Sequence, residues 1–206
     1  MTTQHSAATN LGPTAAPVPP GASGHHAFLV WTVGGVCWLA AAAIHDDADP
    51  RFTIASVVWL TADALIAIGI VSLMRSRPHG PRRIGTAALT AALVARALFA
   101  AGEVHSLIRG DDHTTLLPIA AALTAVSMTC YGVVVWRARL VHGVARSAPL
   151  LMGLYPFVAM FPLVAMTDEP PVLTIAGWGL LTTLVALTAR QAPGRPVAAP
   201  GRGGPL

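Results

Sequence analysis

Six stretches of apolar residues, separated by short polar segments, make up most of the chain. The stretches are continuous apolar runs without strand-like alternation, which favours helices over the strands of a barrel. Each is long enough to cross a hydrocarbon core, which takes roughly 17–25 helical residues. The pattern therefore predicts an all-α polytopic membrane bundle. Its six transmembrane helices are expected at residues 27–44, 52–74, 84–108, 115–136, 148–166 and 172–189.

Composition supports a membrane protein. Of the 206 residues, 54% are hydrophobic and 11% are charged, against about 25% charged residues in soluble domains. A soluble protein of this length would have no polar helices left to cover six apolar ones. The basic residues are all arginine, and alanine, glycine and proline are abundant. This usage is typical of a GC-rich bacterial genome, so we expect a multi-pass protein of a bacterial plasma membrane, with the lipid bilayer as its first partner.

Charged residues are sorted among the connecting segments. Arginines cluster at 75–83, at 137–146 and after residue 189, whereas acidic residues cluster at 46–49, 111–112 and 168–169. Basic loops of membrane proteins stay in the cytoplasm. The sorting predicts that both termini are cytoplasmic. It also accounts for the net charge of +4, so a nucleic-acid partner is not expected.

The flanks of the bundle differ from it in composition. Residues 1–26 are rich in threonine, alanine, proline and glycine, and residues 190–206 are rich in proline and glycine. Such segments bury too little apolar surface to order themselves. We therefore expect a disordered N-terminal tail at 1–26, a transmembrane domain at 27–189 and a disordered C-terminal tail at 190–206. Without a basic region before residue 27, the first stretch is interpreted as a retained helix and not as a cleaved signal peptide.

Three charged residues lie inside the apolar stretches: Asp63, Arg96 and Glu103. A charge at a helix centre costs about 2.5–3.5 kcal/mol on insertion scales, so such residues usually face the bundle and have partners. Asp63 and Arg96 are each at the midpoint of their stretch, and the two stretches are consecutive. We therefore predict an ion pair between Asp63 and Arg96 near the middle of the membrane.

Two further polar residues extend this pair toward the outside. Glu103 follows Arg96 by seven residues and Ser56 precedes Asp63 by seven, so each lies two helical turns away on the same face. The four residues are predicted to form an intramembrane polar cluster that lines a cleft opening outward. Two interpretations stay open: a proton, ion or ligand path, or a buried pair that only fixes the registry of the helices.

Three histidines on the predicted outer side are the candidates for a metal: His45, His105 and His113. Imidazole and carboxylate together suit divalent transition metals. However, no HxxxH spacing places two histidines on one helical face, and Glu103 and His105 point about 200° apart. No metal site and no cofactor are predicted, and the two cysteines, Cys37 and Cys130, are expected to be buried thiols.

Two weaker patterns concern the shape of the helices. Prolines at 156 and 162 are expected to kink the fifth helix. The acidic pairs at 46–47, 111–112 and 168–169 each precede an Ile-Ala pair by seven or eight residues. This spacing is either the trace of a tandem hairpin repeat or a coincidence of common residues.

The motifs indicate no catalytic residue, since the chain has neither a phosphate-binding GxxxxGK[ST] loop nor a GxSxG elbow. The sequence favours a non-enzymatic membrane protein: a small transporter-like protein, or a subunit that stabilises a protein partner or a second copy of itself. Two alternatives remain. One is an intramembrane enzyme or metal- or haem-binding protein that uses the outer histidines and carboxylates, and the other is a membrane sensor or assembly factor.

Overall fold

The computed structural model describes residues 22–45, 50–80, 83–110, 115–167 and 172–192, and these residues form six long helices without a strand. All six are long and apolar enough to cross a membrane. They are α1 (Ala22–Ile44), α2 (Arg51–Ser76), α3 (Arg83–Arg109), α4 (Leu116–Ala138), α5 (Val144–Thr167) and α6 (Val172–Gln191). The all-helical architecture with six membrane-length helices is thus confirmed.

The helices run somewhat past the apolar stretches that predict them. α1 begins at Ala22, within the segment expected to be a disordered tail, and α5 begins at Val144, four residues before its predicted start. A helix does not have to end where its apolar run ends, because water can solvate the polar side chains of its last turns. The rest of both predicted tails, apart from residues 190–192, and the acidic pairs of the repeat hypothesis lie outside the described residues.

The six helices form a closed ring. Each helix packs against the next one in the chain, and α6 packs against α1. Small residues allow helices to approach closely: a Cβ added to Gly35 of α1 would meet the backbone of Thr183 in α6. In the same way, Gly132 of α4 lies against the backbone of Leu150 in α5. The interior of the ring is consequently enclosed by all six helices.

Proline changes the hydrogen bonding of α5 near its middle. The helix is α-helical over Val144–Tyr155, has a π turn at Pro156–Met160, and returns to α-helix over Phe161–Thr167. The N–H of Phe161 bonds to the carbonyl of Pro156, five residues back. Proline lacks the N–H that an unbroken α-helix would use. The disruption expected at Pro156 and Pro162 therefore takes the form of a π turn that begins at the first proline and ends just before the second.

The outer surface of the ring is apolar, as expected for a bundle in lipid. Ile68 and Val158 are among its exposed large hydrophobic residues. The expectation of two buried thiols is wrong for Cys130, which is exposed on α4, while Cys37 is half-buried. Cys130 therefore belongs to the apolar outer face of the bundle and not to its core.

Candidate functional site

A buried ion pair lies inside the ring. Nη1 of Arg96 in α3 is 2.9 Å from Oδ1 of Asp63 in α2, and the side chains are 3% and 1% exposed. The ion pair predicted from the two helix midpoints is present. Because both charges are out of solvent, each depends on the other for compensation.

Arg96 also contacts a third helix. Its Nη2 donates a hydrogen bond of 2.8 Å to Oγ1 of Thr124 in α4, which is buried. The Ser127 hydroxyl donates to the Thr124 carbonyl at 3.1 Å. One guanidinium thus joins α2, α3 and α4. The sequence does not single out Thr124, because a hydroxyl in an apolar stretch carries no charge to mark it.

Four aromatic side chains fill the ring beside the pair; we call them the aromatic cluster: Trp38 of α1, Trp59 of α2, Phe99 of α3 and Trp178 of α6. The Trp38 ring centroid is 6.0 Å from that of Trp59, 5.9 Å from Phe99 and 5.5 Å from Trp178. The four aromatic side chains come from four different helices of the bundle, α1, α2, α3 and α6. Their contacts therefore hold its interior together.

The aromatic cluster also contacts the guanidinium directly. The Arg96 Cζ is 4.5 Å from the Phe99 ring centroid and 5.7 Å from that of Trp178. A cation over an aromatic face gains about 2 kcal/mol or more when both are desolvated. Arg96 is accordingly held by a carboxylate, a hydroxyl and two aromatic rings.

Several polar atoms around the pair remain open. Among the described residues, no hydrogen-bond partner is found for the indole Nε1 atoms of Trp59 and Trp178. Oδ2 of Asp63 makes no hydrogen bond of good geometry, but the Trp38 indole lies close enough to the carboxylate to act as a donor to it. Buried polar atoms are normally paired. One carboxylate oxygen holds Arg96 while the other is available to accept a proton or a hydrogen bond. An oxygen that faces at most an uncharged indole can still take up a proton, which a carboxylate held by cations on both oxygens could not do readily.

The outer half of the predicted polar cluster is also buried. Ser56 is 0% exposed and Glu103 is 5% exposed. Trp59 lies between Ser56 and Asp63 on the same face of α2, and its ring centroid is 4.9 Å from that of the His45 ring at the end of α1, with the two planes tilted by 47°. Ser56 and Asp63 are thus both buried on one face of α2, as their spacing predicts, and Trp59 is buried between them. The outward-opening cleft remains a prediction.

The three metal candidates do not form a group in the described residues. His45 is half-buried and packs against Phe52 and Trp59. His105 is exposed whereas Glu103 is buried, so the two side chains point to opposite sides of α3. His113 lies outside the described residues. Within the described ranges, no three His, Cys, Asp or Glu side chains are close enough to hold a metal ion.

Together these features define a six-helix bundle of membrane type with a charged pair in its interior. No family model, no curated protein and no solved structure matches this chain. What the protein does must therefore follow from the chemistry of its own residues.

Proposed function

We propose that the protein is a small, non-enzymatic, multi-pass carrier of a bacterial plasma membrane in which Asp63 and Arg96 couple proton binding to helix packing. The six membrane-length helices support the multi-pass arrangement. The arginines of residues 75–83 and 137–146 support cytoplasmic termini, since basic loops stay inside.

The observation that carries the proposal is the unequal use of the two Asp63 oxygens. Oδ1 binds Arg96 at 2.9 Å, while Oδ2 makes no hydrogen bond of good geometry among the described residues, and the neighbouring donor to the carboxylate is the uncharged Trp38 indole. A proton on Oδ2 would neutralise the carboxylate without displacing Arg96. The ion pair between α2 and α3 would then become a hydrogen bond from the charged guanidinium to an uncharged acid. The Arg96 charge would be left uncompensated, so proton binding would favour a different packing of these helices.

Glu103 and Ser56 are assigned to the outer access route. Each is seven residues from its partner in the pair, which corresponds to about 10 Å along the helix axis. Glu103 places a carboxylate between the pair and the predicted outer face, and this carboxylate would bind a proton transiently before its transfer to Asp63. Intramembrane carboxylates commonly mark such relays.

A second candidate function is purely structural: the pair only fixes the packing of the helices, in a subunit that stabilises a protein partner or a second copy of the chain. We call this role the fixed joint. The number of contacts to Arg96 favours this second function. The guanidinium is in contact with four side chains: Asp63, Thr124, Phe99 and Trp178. Such a contact set fixes the registry of α2, α3 and α4. The enzyme or metal alternative has less support, since His105 points away from Glu103. A role as sensor or assembly factor would need a partner protein, to be sought by co-purification.

Two measurements separate the carrier from the fixed joint. The first follows the tryptophan fluorescence of purified protein against pH, because Trp38 and Trp178 lie beside the pair. We expect a transition in the wild type that disappears in Asp63→Asn and persists in the control Ser127→Ala. The second follows an entrapped pH dye in vesicles during a potassium diffusion potential. Wild-type protein should move protons faster than protein-free vesicles do, and Asp63→Asn should remove the excess.

The fixed joint predicts other results. Folded wild-type protein with no Asp63-dependent transition, and with proton flux equal to that of empty vesicles, would exclude the carrier. An exchange variant, Asp63→Arg with Arg96→Asp, adds a further distinction. If it keeps the fold and loses proton flux, the location of the carboxylate matters. If every property survives the exchange, only the registry role remains.

A further inference from the structure

A groove runs along the outer face of α2 and α3 at the end of the bundle that bears Arg75, Arg77 and Arg83; we call it the α2–α3 groove. It consists of a cavity of about 510 Å³ and a second one of about 410 Å³. The two adjoin, because Arg77 and Thr86 line both. The groove is separate from the Asp63–Arg96 pair.

The end of the groove near the loop is basic, and its arginines supply the hydrogen-bond donors, because the Thr90 hydroxyl already donates to the Thr86 carbonyl at 3.0 Å. Arg77 and Arg83 line the first cavity with the hydroxyl-bearing Thr86 and Thr90, and Arg75 lines the second. In the described part of the chain, neither cavity has an acidic lining residue. Arginine side chains recognise phosphate oxygens through paired hydrogen bonds. This end therefore matches a phosphate group in charge and in donors.

Arg77 lies just beyond the last turn of α2, at the boundary between the helix and the loop. Arg77 adopts a left-handed conformation, φ 50°, after the last turn of α2, and its N–H bonds to the Leu73 carbonyl at 3.0 Å. Glycine usually occupies such a position, because side chains there are strained. From this position Arg77 lines both cavities of the groove.

The other end of the groove is apolar. Val71, Met74 and Leu93 line the second cavity. Val71 precedes Arg77 by six residues, about 9 Å along the axis of α2. Charge thus gives way to apolar surface in the direction of the bilayer centre. A soluble anion would use only the basic end, whereas a phospholipid would use both.

We propose that the α2–α3 groove binds an anionic phospholipid, with its phosphate among Arg75, Arg77 and Arg83 and an acyl chain against Val71 and Leu93. Basic pockets between transmembrane helices on the cytoplasmic side suit anionic head groups. The site holds its lipid whether or not Asp63 carries protons, because the two sites share no residue.

The test is lipid binding by purified full-length protein in detergent, followed by native mass spectrometry. Phosphatidylglycerol and phosphatidylcholine with the same acyl chains are titrated separately. We expect one phosphatidylglycerol to bind at lower concentration than phosphatidylcholine. The double variant Arg75→Gln/Arg77→Gln should weaken phosphatidylglycerol binding about 30-fold, since each arginine near an anionic surface contributes about a fivefold effect.

The chain contains a matched control for this variant. Arg137 lies in the last turn of α4 and Arg139 follows it in a left-handed cap, φ 56°, as Arg75 and Arg77 do in α2. Arg137→Gln/Arg139→Gln removes the same charge from the same type of position and should leave binding unchanged. If Arg75→Gln/Arg77→Gln fails to fold, Arg83→Gln alone should weaken binding about fivefold.

Three results would overturn the proposal. Equal losses in the two double variants would show only a general effect of charge. Equal affinity of the wild type for the two lipids would show that the groove does not recognise the anionic head group. Displacement of bound lipid by inorganic phosphate at similar concentration would identify a soluble anion as the occupant.

Discussion

The ion pair makes a quantitative prediction about the stability of the bundle, testable with Asp63→Asn, Arg96→Met and the double variant. Asn keeps the volume of Asp63, and Met keeps most of the length of Arg96. Two unit charges about 4 Å apart attract by about 4 kcal/mol at an effective dielectric constant near 20. Removing one member leaves the other buried without compensation, which costs about 3–5 kcal/mol.

The double variant removes both charges and should cost much less than the sum of the single changes. Replacing a buried pair by uncharged residues of similar volume is often close to neutral. Arg96→Met also loses the hydrogen bond to Thr124, so we expect a residual cost of about 1–3 kcal/mol, the range for bonds to charged groups. Each variant is compared with the wild type by its loss of unfolding free energy. The losses of the two single variants, added together, should therefore exceed the loss of the double variant by roughly 4 kcal/mol or more.

The assay is reversible unfolding in mixed micelles as the SDS fraction rises, followed by tryptophan fluorescence. A control cycle combines Asp63→Asn with Arg190→Gln at the far end of α6. Distant sites usually add within about 0.3–0.5 kcal/mol, so this control should show no coupling. Additive costs for Asp63 and Arg96 themselves would refute the reasoning, because the two charges would then not compensate each other.

Two further predictions concern packing and pH. Gly132→Ala should lower the free energy of unfolding in the same assay by about 1–3 kcal/mol through overpacking, because the added Cβ would meet the backbone of α5. Gly179→Ala is the control and should cost less, since its added Cβ would meet mainly a movable leucine side chain. Equal losses in the two variants would contradict this account of helix packing in the ring. Burial, and then the charge of Arg77, lower the pKa of His79 from its ordinary 6.5. The unfolded chain then binds more protons than the folded one, so the stability from His79 is complete above pH 6.5 and is lost as the pH falls toward its folded pKa. His79→Phe should reduce this slope, measured as the free energy of unfolding at several pH values.

The sequence predicts features that depend on one helix at a time. Continuous apolar length locates the six spans, and the midpoint positions of Asp63 and Arg96 predict their contact because the two helices are consecutive. The opposite facing of Glu103 and His105 also follows from local spacing. Phe99, three residues after Arg96, could have been found by the same reasoning, since it shares a face of α3.

Other features depend on helices that are distant in the chain. Trp178 reaches Arg96 only because α6 packs beside α1, and no periodicity in either helix predicts that contact. Thr124 is equally hard to find, since threonines in apolar helices often bond to their own backbone. Thr182, for example, donates to the Trp178 carbonyl at 2.9 Å. Only the three-dimensional arrangement separates a hydroxyl that binds Arg96 from one that serves its own helix.

The closure of the ring by α1 and α6 has a consequence for the order of folding. Gly35 contacts Thr183, so the contact that completes the ring joins the first and last of the six described helices. Contacts between such distant parts of a chain form slowly, because the intervening chain must be ordered first. During synthesis, α2, α3 and α4 can assemble around Arg96 before Trp178 exists to cover it. Truncation before α6 should therefore leave a five-helix intermediate with a partly uncovered guanidinium, a natural target for membrane quality control.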